Sequence, residues 1–67
     1  MKIFCERLKE LRTDNSISTI QMGKILNVQH STIVRWESGE MTPSIDHLYN
    51  IAKYFKVSAD YLIGLED

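Results

Sequence analysis

Between Ile17 and Gly39 the sequence starts a helix, stops it, turns, starts a second helix and stops that one too. Isolated helices below about 12–15 residues are marginal in water, so each of these must be held by burying one side against something else. The first start is marked by Ser18 with Gln21 three residues on, a reciprocal capping box, and Ile17 is placed to staple onto Met22. This predicts a helix over Thr19–Leu26 whose inward side is Met22, Ile25 and Leu26. Gly23 costs about 1 kcal/mol relative to Ala in a helix interior, so its presence points to a close approach by another helix. Asn27 tolerates the left-handed conformation better than any residue but Gly and ends the helix, after which Val28 turns inward. A second helix is expected from His30 to Ser38, with Ile33 and Trp36 facing the core and Gly39 as C-terminal cap.

The flanking segments supply the surfaces these two helices need. From about Lys2 to Thr13, Phe4, Leu8 and Leu11 recur at helical spacing, with Glu6, Lys9 and Glu10 on the wet side. Asp14, Asn15 and Ser16 form a polar break. Pro43 keeps Glu40–Pro43 a loop. Ser44 then caps a fourth helix with Asp46 near its N-terminus and Ile45, Leu48, Ile51, Ala52 and Phe55 inward. Val57 and Ser58 repeat the staple and cap for a brief fifth helix carrying Tyr61 and Leu62 and ending near Gly64. No segment alternates with period two, so residues 1–67 are expected to form one all-α, five-helix domain. A chain of this length buries only about 60% of its unfolded surface, which calls for tight packing.

Composition narrows the function. No apolar run approaches the roughly 18 residues of a membrane span, and the N-terminus lacks a signal-peptide core, so a cytoplasmic protein is expected. Cys5 is alone, which excludes an internal disulfide, and reads as a buried or half-buried small hydrophobe in the first helix. His30 and His47 have no partner at ligand spacing, so no metal is expected, and no cofactor. No nucleophile has a base at helical spacing and no Gly-rich phosphate loop exists, so an enzyme is not expected. Eight Lys and Arg against nine Asp and Glu leave a net charge of −1, unusual for a nucleic-acid binder, although binding depends on the potential of one face.

Two short helices joined by a tight turn describe a helix-turn-helix, and the outer side of the second carries its chemistry. There His30 and Val34 are i, i+4 neighbours, as are Ser31 and Arg35, opposite Ile33 and Trp36. Ile17-Ser18, Asn27-Val28, Ser31-Thr32-Ile33, Arg35-Trp36-Glu37-Ser38-Gly39, Pro43-Ser44 and the run Val57 to Gly64 together resemble the Cro/repressor-like (XRE-type) helix-turn-helix family. The resemblance spans nearly the whole chain and implies a compact lambda-repressor-like fold with helices 2 and 3 as the motif. It also implies a bacterial or phage-type, nucleoid-associated transcriptional regulator, usually a repressor, that binds double-stranded DNA in the major groove.

By that resemblance His30, Ser31 and Arg35 are the base-contacting positions. Arg35 leads, since a guanidinium can bond O6 and N7 of guanine together; the plainer alternatives are a phosphate clamp or a solvated side chain. Val34 either meets a thymine methyl or packs on its own helix. Orphan amides and hydroxyls at Ser18 and Thr19 suit phosphate, with Thr32 and Ser38 as further backbone contacts. The family also pairs an arginine with a glutamate at Arg12 and Glu37, here either a buried lock between the first and third helices or a loose surface pair. Trp36 is expected in the core, and Tyr49 and Tyr54 either on the surface or in an interface.

Three positions depart from the family pattern. Thr19 stands where Gln is usual, Gln29 where Ser or Thr caps, and Glu40 where a basic residue is frequent. With so few cations, a homodimer on a palindromic operator is expected, joined through Tyr61 to Leu65 or a further domain. The alternative is a protein-interaction regulatory module of the same fold with little DNA affinity.

Overall fold

Serine caps set three of the helix starts. In the computed structural model, which describes residues 1–67, the helices are α1 (Lys2–Asp14), α2 (Thr19–Leu26), α3 (His30–Ser38), α4 (Ile45–Phe55) and α5 (Ala59–Ile63). Ser18, Ser44 and Ser58 each accept a hydrogen bond from the backbone N–H three residues on, and Gln21 completes the capping box on α2. Gln29 occupies the corresponding position on α3 without a side-chain bond, so that helix starts on backbone geometry alone. α1 runs one residue beyond the expected Thr13, because Asn15 donates its side-chain amide to the Leu11 carbonyl and caps the last turn.

Helix ends follow one geometry. Asn27 (φ 59°) and Gly39 (φ 84°) are left-handed, and in each case the next residue's N–H reaches back five residues. Val28 N–H donates to the Gly23 carbonyl at 2.8 Å, and Glu40 N–H to the Arg35 carbonyl at 3.0 Å. These are Schellman motifs, which satisfy carbonyls that would otherwise lack partners and aim the chain into the next element.

All five helices contribute to one core: Phe4 and Leu8 from α1, Met22 and Leu26 from α2, Ile33 and Trp36 from α3, Ile51 from α4, and Leu62 from α5. Leu11, Ile17, Val28, Leu48, Ala52 and Phe55 pack around it half-buried. Cys5 is buried too, its thiol donating to the Met1 carbonyl at 2.9 Å. Arg7 fastens α5 to α1, stacking 4.3 Å from the Tyr61 ring centroid and donating to the carbonyls of Tyr61 and Glu66. No helix is long and apolar enough to cross a membrane.

Two expected core residues lie outside. Ile25 is 39% exposed and Ile45 is 84% exposed. On α2 the buried stripe is Met22, Gly23 and Leu26, rotated toward Gly23 because the turn packs there, which leaves Ile25 roughly a quarter-turn outside at about 100° per residue. Ile45 occupies the first position of α4.

Gly23 is required by backbone proximity. A Cβ there would lie 2.7 Å from the Val28 carbonyl oxygen and 3.2 Å from the His30 nitrogen. Gly23→Ala gains about 1 kcal/mol of helix propensity but incurs overpacking of about 1–3 kcal/mol against backbone that cannot rotate away. A net loss of about 1 kcal/mol is therefore expected in urea unfolding; a stabilised variant would show that the turn yields.

Candidate nucleic-acid interface

The close fit at Gly23 sets the angle at which α3 leaves α2, and thereby what α3 shows to solvent. Ile33 and Trp36 are fully buried, whereas His30, Val34 and Arg35 are exposed. Ser31 and Thr32 lie half-buried at the edges of this outer face. His30, Val34 and Arg35 thus form one convex surface. Val34 is 48% exposed.

The N-terminus of α2 is capped by Ser18. Ser18 Oγ accepts from the Gln21 N–H at 3.1 Å, so the hydroxyl's own hydrogen remains for another acceptor. Thr19 follows, half-buried at the first helical position. Ser38 differs: its hydroxyl donates to the Arg35 carbonyl at 3.1 Å and is folded into the C-terminal cap of α3.

Arg12 and Glu37 hold α3 from behind. Arg12 Nε and Nη2 donate to the two Glu37 carboxylate oxygens at 2.6 and 3.0 Å, a bidentate pair with side chains only 13% and 10% exposed. Arg12 Nη1 donates in addition to the Ile17 carbonyl at 2.9 Å. One guanidinium thus ties α1 to α3 and to the residue before the α2 cap. The Glu37 hydrogen bond and charge raise the Arg12 pKa above its ordinary value despite the opposing effect of burial.

Local charge differs from the chain total. Between Ile17 and Gly39 the charged residues are Lys24, Arg35 and Glu37, and Glu37 is matched by Arg12. Glu40 then modifies the outer face. Its Oε2 lies 3.3 Å from Arg35 Nε, a contact that residue types alone did not bring to notice. Its signal was present nonetheless: Gly39 in a Schellman motif brings the residue after it against the residue four before it, which here are Glu40 and Arg35.

A short capped helix, a left-handed turn residue and a second helix locked by its inner face define a helix-turn-helix domain. A family model described as Helix-turn-helix matches residues 8–62, and the chain belongs to that family. It is 36% identical over 64 residues to the HTH-type transcriptional activator BcrR of Enterococcus faecalis, covering 96% of this chain and 31% of that protein. Among solved structures, a transcriptional regulator from Listeria innocua aligns with a TM-score of 0.88 at 36% identity, over 96% of this chain and 60% of the other. The P22 c2 repressor in complex with synthetic operator 9T aligns with a TM-score of 0.85 at 29% identity, over 92% and 94%. The chain thus spans about a third of BcrR and somewhat under two thirds of the Listeria protein.

Proposed function

We propose that this domain binds double-stranded DNA sequence-specifically, with α3 in the major groove, as a transcriptional regulator of repressor type. The observation that carries the reading is the outer face of α3: His30, Val34 and Arg35 project from a helix whose opposite side is locked into the core. The likeness to a repressor solved on a synthetic operator supports it. In this reading Arg35 bonds a guanine edge, His30 and Ser31 lie against neighbouring bases, and Val34 meets a thymine methyl. Ser18 and Thr19 bind one phosphate run through the α2 N-terminus, with Thr32 and, once its hydroxyl turns from the Arg35 carbonyl, Ser38 as the other backbone contacts. Such a bacterial or phage-type regulator works in the cytoplasm, at the nucleoid.

With only Lys24 and Arg35 as cations in the motif not matched inside it, one copy neutralises few phosphates. Binding as a homodimer supplies the missing affinity, on half-sites about 34–36 Å apart. The C-terminal region offers apolar surface for it. Leu65 is 73% exposed, and Ile63 lines a small cleft with Met1, Phe4 and Pro43. Leu62 is committed to the core and Tyr61 to Arg7, so within Tyr61–Leu65 the contact falls to Ile63 and Leu65.

Selection of bound sequences from a random duplex pool tests the reading. The wild-type chain is expected to return a palindromic site, and Arg35→Ala a site that has lost one guanine per half, a loss of about 1–3 kcal/mol in discrimination. If the variant prefers the same base everywhere, Arg35 does not read sequence. If no duplex is retained even at low salt, the domain is a protein-interaction module instead.

A further inference from the structure

We propose that Glu40 is a specificity-determining positioning residue that holds Arg35 for base reading and keeps it off the phosphate backbone. The inference rests on the major-groove reading of α3. The carboxylate lies 3.3 Å from Arg35 Nε, and the arrangement is built by the backbone. The N–H groups of Glu40 and Met41 both donate to the Arg35 carbonyl, at 3.0 and 3.3 Å, and Ser38 Oγ donates to it as well. Residue 40 is therefore anchored to residue 35 by its main chain, whatever its side chain does.

The chemistry of a guanidinium makes the contact directional. Arg presents its five N–H donors in a planar fork. With the Glu40 carboxylate on the Nε side, 3.3 Å away, the terminal Nη1 and Nη2 are left to offer two parallel hydrogens suited to guanine O6 and N7. A phosphate oxygen competing for Arg35 must approach a carboxylate of its own sign. Guanine, which presents no net charge, does not. Glu40 thus biases one side chain between two ligands that differ in charge.

Stability does not account for the pair. Its side chains are 57% and 67% exposed, and exposed pairs contribute little to folding. Changing Glu40 should therefore alter recognition and leave unfolding nearly untouched, which distinguishes positioning from a structural role.

The test uses the full chain, the site it selects from a random pool, the same site with the Arg35-read guanine replaced, and an alternating dA·dT duplex that contains no guanine. For Glu40→Ala the preference for the guanine site over its substituted version is expected to fall by about fivefold, a part of the discrimination available to one arginine. Affinity for the dA·dT duplex should rise, and its log–log salt slope should steepen by about 0.9, the value of one additional phosphate neutralised. Glu40→Gln keeps a polar oxygen within the same reach of Nε but carries no charge, and should retain more of the base preference while gaining in dA·dT affinity. Unfolding midpoints should match wild type. An unchanged preference ratio in Glu40→Ala, with Arg35→Ala lowering it, overturns the inference and leaves the groove reading standing. A parallel drop in affinity for all three duplexes also overturns it. An unchanged ratio in Arg35→Ala removes the groove reading itself and the inference with it.

Discussion

Trp36→Ala is expected to lower unfolding free energy by about 3–5 kcal/mol, the cost of deleting a large aromatic side chain from a packed core. A 67-residue domain at typical stability per residue has only about 3–10 kcal/mol in total, so the substitution removes from about a third of it to all of it. The indole is 1% exposed, and its ring lies 5.2 Å from the His47 ring, centroid to centroid. Its loss therefore opens a cavity where α3 meets α4. Far-ultraviolet circular dichroism during thermal unfolding measures the effect, since the tryptophan signal is gone. Trp36→Phe keeps an aromatic plug and should lose distinctly less. A Trp36→Ala variant that melts with wild type would show that α3 is held by other contacts.

Glu37→Gln is the second large effect, expected at about 3 kcal/mol. Removing one member of a buried pair typically costs about 3–5 kcal/mol because the other charge is left without its counterion. The low end applies because the glutamine oxygen still accepts one of the two Arg12 bonds. For a domain of this size that corresponds to a fall in Tm on the order of 15 °C. An unchanged unfolding midpoint would mean that the pair is no more than a loose surface contact. A double-mutant cycle with Arg12→Met separates the coupling from the single costs. The raised pKa of Arg12 adds no pH dependence near neutrality. A raised pKa means that the stabilisation tied to the Arg12 proton is fully present below its ordinary value and is lost as pH climbs from there through the raised one, in strong alkali. Because Arg12 also bonds the Ile17 carbonyl, Glu37→Gln should loosen the start of α2 along with α3.

These two residues illustrate how much was legible beforehand. Trp36 could be placed in the core from its spacing to Ile33, because a helix's periodicity is a property of adjacent residues. Asn27 and Gly39 could be placed in the left-handed region for a similar reason, since cap chemistry is local. The partners of Arg12 and Glu37 lie 25 positions apart, and only the likeness to a family suggested them. Ile25 and Ile45 read as buried because both are apolar and near the right phase. Their exposure followed from which neighbour packs where, which no local pattern encodes.

The outer face of α3 shows the same division. The residue order alone determined that His30, Ser31, Val34 and Arg35 share a side of one short helix, and that a capped helix precedes it. Tertiary structure decided how far that side stands clear of the domain, through the contact of Gly23 with the Val28 carbonyl and the Arg12–Glu37 lock. It also decided that Arg35 meets solvent with a carboxylate at its Nε. The physical reason is range: periodicity and capping are set by atoms within a turn of the chain. Exposure, orientation and charge pairing depend on elements that become neighbours only when the five helices bury a common core.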